Sequence, residues 1–197
     1  MYDRKSVYRG FAADLAERSF VTISTDVGQH EVYEKGRTLM GERLWDVLRC
    51  ADYLASLPEV DDHRLGCAGL SLGGEMAMWL GAMDPRMRGT VSSGFLTTVA
   101  NMRRGHCPCW DFPGLTENFD FSDIYSLTAP RPLLCQNGRK ERAPGGFPVE
   151  IAEVAMAEIR KAYKVFAAEK AAQLDIHPEG HEFVVATAVP FLEQNLR

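Results

Sequence analysis

Ser71 stands between two glycines in Gly69-Leu70-Ser71-Leu72-Gly73, directly after one apolar run and before another. A serine in a sharp turn from strand to helix has its hydroxyl exposed at the carboxyl end of a sheet, where it can attack a carbonyl carbon. Glycines on either side let the chain fold back without a Cβ clash. The five letters alone are common, and an unreactive serine in a glycine-rich turn would carry them too. The flanks add weight: Arg64 to Leu70 reads as a short buried strand, and Glu75 to Met83 as a helix largely covered by protein. A hydroxyl is a poor nucleophile at neutral pH, so a histidine must take its proton and an acid must orient that histidine.

The rest of the chain alternates helix and strand as in a doubly wound, mostly parallel α/β sheet of about five strands. A short amphipathic helix at Phe11 to Arg18 precedes a strand at Phe20 to Thr25 and a loop around Gly28. Leu39 to Leu57 is a longer helix with Leu44, Val47, Leu48 and Ala51 at helical spacing. The elbow strand and helix follow, then a strand at Gly89 to Ser93, a long irregular connection from Phe95 to Ala129, and a strand at Pro132 to Gln136. A helix runs from about Val149 to Lys170, with Ile151, Val154, Ile159 and Phe166 predicted on its buried face. Leu174 to His177 is the last strand. The last helix begins near His181 and is expected to bend at Pro190. Residues 1–197 form one domain, with a small cap-like connection at about 95–129.

In such a sheet the acid follows a later strand and the histidine the last one, so the chain order is serine, acid, histidine. The turn Asn137-Gly138-Arg139-Lys140-Glu141 presents Glu141, and Pro178-Glu179-Gly180 delivers His181. A solvated surface glutamate is the other reading of Glu141; Asp120 and Asp123, in the long connection, are weaker acids. His177 reads as a strand residue whose side chain packs. The backbone N–H of Leu72, at the start of the elbow helix, is one donor for an oxyanion. Trp110 and Phe112, among the aromatics of the long connection, are candidates to meet substrate, although aromatics there can equally serve to cover the sheet.

The segments Arg64 to Gly74, His106-Cys107-Pro108-Cys109 with Pro113-Gly114, Ala129 to Leu134 and Pro178 to Phe183 together resemble the α/β-hydrolases, in the branch of dienelactone hydrolases and acetyl-xylan-esterase-like carboxylesterases. The resemblance covers nearly the whole chain. It implies a serine carboxylesterase, with Ser71 as nucleophile, His181 as base and Glu141 where such enzymes usually have aspartate; the long connection makes a small lid at most, which favours short, soluble esters, and the triad's chemistry requires no cofactor or metal. The resemblance also implies strands ahead of the first helix and a second oxyanion donor from a loop beside a His-Gly pair. The chain starts almost at that helix and has no His-Gly pair upstream of the elbow. A strand slot left empty beside the elbow strand would expose an apolar edge, which predicts a homodimer; a monomer by light scattering would reject it. The competing expectation is a weakly active or non-catalytic remnant serving as a binding or assembly module.

Composition narrows the field. The net charge of -5 offers no basic field to nucleic acid. No apolar run approaches the roughly 18–20 residues that span a bilayer, and Met1 to Lys5 lacks the apolar core of a leader, so a cytoplasmic protein is expected. Five cysteines at irregular spacing fit reduced thiols. Cys67 and Cys135 fall in strand-like runs as core residues. His106, Cys107 and Cys109 are soft ligand types side by side, but a closed zinc site needs a fourth ligand, and the favoured reading is a packed loop with no metal.

Overall fold

A computed structural model describes residues 10–197; the Met1 to Lys5 stretch read for a leader lies outside them. Helix α1 (Phe11–Ala16) leads through irregular chain to α2 (Leu39–Ala55), whose first turn is capped by Thr38 Oγ1 accepting from Gly41 N–H. The elbow strand β1 (Leu65–Leu70) runs into α3 (Leu72–Met83), and β2 (Met87–Ser93) follows. The long connection holds three short helices, α4 (Val99–Met102), α5 (Leu115–Asn118) and α6 (Phe121–Ser126). Then come β3 (Leu133–Gly138), α7 (Val149–Val165), β4 (Ala172–His177) and α8 (Val185–Leu196). The strands form one parallel sheet in the order β1-β2-β3-β4.

Both faces of the sheet are covered, as parallel strands require. Alternation decides which residue goes where. Cys67, Leu133 and Cys135 join the larger core under α2, α3, α6 and α7. Leu70, Val91 and Leu134 point the other way, onto Leu15 of α1 and Val189 and Leu192 of α8. No helix among the described residues is long and apolar enough to cross a membrane.

Four sequence expectations are corrected. The sheet has four strands rather than about five, because residues 20–25 are irregular chain with Val21 and Ile23 exposed. Their alternation suits a strand, but a strand exists only against a partner, and β1 is paired on one side only among the described residues. Between them runs a groove of about 910 Å³, lined by Phe20, Ile23, Val27, Gly66, Ala68 and Leu192 among others. The buried stripe of α7 is Ala152, Ala155, Met156, Ile159 and Tyr163, while Val154 and Phe166 face solvent; small alanines mark the inner face, so size misleads. Helix α8 begins at Val185, not near His181, which leaves the histidine on a loop. Finally, Cys107 and Cys109 are joined as a disulfide, their Cα atoms 5.5 Å apart across the 3-10 turn Pro108–Trp110, whereas Cys67 and Cys135 are free and buried as expected.

Candidate active site

The turn between β1 and α3 places Ser71 at φ 61°, ψ −121°, a backbone state rarely adopted by a residue with a side chain. Two main-chain bonds hold it there: Ser71 N–H donates to Ser93 O at 2.9 Å, and Glu75 N–H donates to Ser71 O at 2.9 Å. Its hydroxyl does not cap α3 and is half-exposed, which leaves it available. Leu72 is the first residue of α3, so its N–H points from the positive end of the helix dipole.

The glycines divide the labour differently from the sequence reading. A Cβ at Gly69 would sit 2.0 Å from Gly73 O and one at Gly74 2.6 Å from Ser93 O, while one at Gly73 meets nothing within 4 Å. The steric demand therefore falls on Gly69 and Gly74. Gly69→Ala is expected to lower unfolding free energy by about 3 kcal/mol, because backbone meets backbone and neither can move aside. Gly73→Ala should leave stability within about 1 kcal/mol of the parent. Urea unfolding compares them, and equal losses would reject this account of the turn.

The acid and the histidine come from loops that interlock. Glu141 follows β3 and is 7% exposed; its Oε1 receives His181 Nδ1 at 2.9 Å, and its Oε2 accepts the Phe147 N–H at 2.8 Å. Arg139 N–H donates to His177 O and Lys140 N–H to Glu179 O, with the Lys140 ammonium paired to the Glu179 carboxylate above. A Cβ at Gly138 would fall 2.1 Å from Gly180 O, so the two loops meet where only glycine fits.

Two buried polar residues fasten the histidine loop. Gln136 accepts the Val184 N–H on Oε1 and donates through Nε2 to Val184 O and Thr187 Oγ1, while Ser93 Oγ donates to Glu182 O at 2.8 Å. The imidazole of His181 then lies against Gly94, where a Cβ would be 2.9 Å from Nδ1, and it stacks on Phe147 with centroids 5.5 Å apart. Ser93 and Gly94 are thus the meeting point: one carries the main-chain bond to Ser71 and the next supports the ring of His181. Sequence reasoning missed Gln136, Ser93 and Phe147. The signal available was two amides, Gln136 and Asn137, ending a strand otherwise as apolar as Leu133-Leu134-Cys135.

The remaining candidates have other occupations. Asp120 caps α6 and its Oδ1 accepts from Val99 N–H and Phe121 N–H, while Asp123 Oδ2 accepts from Asp120 N–H. His177 is buried at the end of β4, and burial pushes its pKa down. Trp110 is also buried, edge-on to Phe121 at 5.6 Å, so its ring is already covered by protein; Phe112 is half-buried beside Trp79. The 910 Å³ groove touches the elbow at Gly69 and Gly73 but is not lined by Ser71, Glu141 or His181.

Residues 6–180 match the sequence pattern of the Abhydrolase family. The chain belongs to that family. A curated relative within reach of this Abhydrolase chain is "Putative hydrolase YtaP" of Bacillus subtilis, 34% identical over 118 residues, or 57% of this chain and 39% of the relative. Among solved structures, a carbohydrate esterase family 15 glucuronoyl esterase from Caldicellulosiruptor kristjansonii superposes with a TM-score of 0.67 at 19% identity, covering 86% of this chain and 53% of that one. A glucuronoyl esterase from Solibacter usitatus gives 0.66 at 20%, covering 84% and 50%. These structures establish the fold, and this Abhydrolase chain spans about half their length. Fold and family together place it among the α/β-hydrolases.

Behind the elbow lies a buried acidic residue with no role in that constellation. Glu75, one turn into α3, is 2% exposed, and burial pushes its carboxyl up to about 8 while the Arg43 guanidinium pulls it back. A carboxyl that keeps its proton in the folded state contributes stability that is complete below about 4.5 and is lost as pH rises through about 8. Glu75→Gln should therefore gain stability relative to the parent across that window, by on the order of a few kcal/mol. Unfolding curves at the two ends of the window test it; a difference that does not change with pH would mean a carboxylate ionised throughout.

Proposed function

We propose that the protein is a serine carboxylesterase that cleaves short, soluble esters through an acyl-enzyme. The reading is carried by one observation: a buried glutamate holds His181 Nδ1 at 2.9 Å beside the strand end that also anchors Ser71. With Nδ1–H donating to Glu141, Nε2 keeps its lone pair and can take the hydroxyl proton as Ser71 Oγ attacks the ester carbonyl. The Leu72 N–H faces the negative charge that gathers on the carbonyl oxygen. The imidazolium returns its proton to the leaving alcohol, and water repeats both steps to release the acid. Residues of the long connection cover the sheet more than the serine, since Phe95, Trp110, Phe121 and Tyr125 are all buried, which favours small substrates reached from solvent.

The structural neighbours named for glucuronoyl esters add one substrate class to try, a methyl ester of glucuronic acid. The test is turnover of that ester and of a p-nitrophenyl ester series, together with labelling of Ser71 by a fluorophosphonate. Turnover of short acyl chains with a labelled Ser71 is expected. Neither turnover nor label would leave the non-catalytic remnant, the reading favoured by a β1 that is paired on one side only among the described residues.

A further inference from the structure

Beside the loop of His106, the fold brings His30 up to Cys107 and Cys109. Their ligand atoms all lie within 4.8 Å of one another. The sequence set His106 beside the two cysteines, but its ring turns inward onto Phe147, with centroids 5.0 Å apart, and His30 takes its place from another loop. The two sulfurs come from one tight turn, Cys107-Pro108-Cys109, anchored by the buried Trp110.

The loop that carries His30 has no regular structure of its own, yet two consecutive buried residues of α2 hold it. Glu42 Oε1 and Oε2 accept from the main-chain N–H groups of Tyr33 and Glu34 and from the Gln29 amide. Arg43, with no exposed surface, donates from one nitrogen to Gln29 O at 2.5 Å and from the other to Cys109 O at 3.2 Å. One guanidinium therefore ties the residue before His30 to one of the cysteines. Burying two charged groups is costly unless they are well bonded, and here most of their bonds go to fixing this loop against the Cys-Pro-Cys turn.

Two thiolates and an imidazole are a soft, nitrogen–sulfur donor set. Zinc accepts it at about 2.3 Å from sulfur and about 2.0–2.1 Å from nitrogen, which in a tetrahedron sets the ligand atoms roughly 3.5–3.8 Å apart. That span fits inside the cluster. We propose that Cys107 and Cys109, when reduced, bind one Zn²⁺ together with His30, with the fourth position open to water or an outside ligand. The disulfide is the metal-free state of the same pair. A phosphine reductant converts it: the phosphine and one water become phosphine oxide, and the two sulfurs become thiols. Zn²⁺ then displaces one proton from each thiol. The site is independent of the esterase reading.

The other thiols do not compete on equal terms. Cys67 is buried, and burial pushes its pKa up to about 11; Cys135 is buried and shifted further in the same direction. Cys50 is half-exposed and serves as the control.

The experiment titrates Zn²⁺ into phosphine-reduced protein, freed of reductant, against a chromophoric chelator. Co²⁺ is used in parallel to report sulfur-to-metal charge transfer and tetrahedral visible bands. One metal per reduced chain is expected, and none for the oxidised chain. Cys107→Ser and Cys109→Ser should each weaken binding at least about 100-fold, and His30→Ala about 10-fold or more, with Cys50→Ser unchanged. Since His30 and Cys107 are exposed, these variants should fold, and a thermal transition matching the parent checks it. No stoichiometric uptake by the reduced parent, or uptake insensitive to His30→Ala, would overturn the proposal.

Discussion

Ser71→Ala is expected to give a folded protein that turns over no ester above background and takes no fluorophosphonate label, a loss on the order of 10⁴-fold or more. The fold should hardly notice. The hydroxyl caps no helix, and the turn is held by main-chain bonds from Ser71 N–H to Ser93 O and from Glu75 N–H to Ser71 O, which alanine keeps. Alanine also suffers the same strain as serine at φ 61°. Ser71→Gly separates the two effects: relieved of that strain, it should be about 1 kcal/mol more stable than the parent and equally inactive. Thermal unfolding beside an acyl-enzyme burst assay reads both quantities. Full activity in either variant would remove Ser71 from the chemistry, and with it the esterase proposal.

Glu141→Gln should lower kcat about 10³- to 10⁴-fold through the tautomer of His181. Both carboxylate oxygens of Glu141 are acceptors, one for His181 Nδ1–H and one for the Phe147 N–H. A glutamine has one oxygen to offer. The Phe147 N–H is fixed and can only donate, so the amide oxygen turns toward it and the NH₂ group faces the imidazole. Nδ1 must then accept and Nε2 carry the proton, which leaves no lone pair for the serine hydroxyl. NMR of ¹⁵N-labelled histidine distinguishes this from mere loosening, because Nδ1 should lose its proton in the variant. A kcat within tenfold of the parent, with Nδ1 still protonated, would show that Glu141 only props the loop.

The elbow was legible because it is local: Gly69, Ser71 and the apolar runs either side are contiguous, and a turn of that shape depends mostly on residues within it. Glu141 and His181 could be singled out because each lies in the turn that follows a strand marked by the apolar pattern. What failed depended on partners. Phe20 to Thr25 has the alternation of a strand and no ladder to join, Trp110 has the look of a binding aromatic and sits in the core, and the inner face of α7 includes Ala152 and Ala155, which hydrophobicity ranks below the exposed Val154 and, just past the helix, Phe166.

Hydrophobic spacing and turn residues were enough to determine alternating helices and strands and hence a mostly parallel α/β sheet, since both follow from patterns between near neighbours in sequence; the order of serine, acid and histidine was read from that fold type and from the family resemblance. Only the tertiary structure decided that Gly69 and Gly74 rather than Gly73 allow the elbow, that Gln136 and Ser93 tie down the histidine loop, and that His30 instead of His106 stands with Cys107 and Cys109. The reason is the same in each case. Close approach between segments far apart in the chain leaves no periodic trace in either of them, because it is set by how the packed layers bring their ends together.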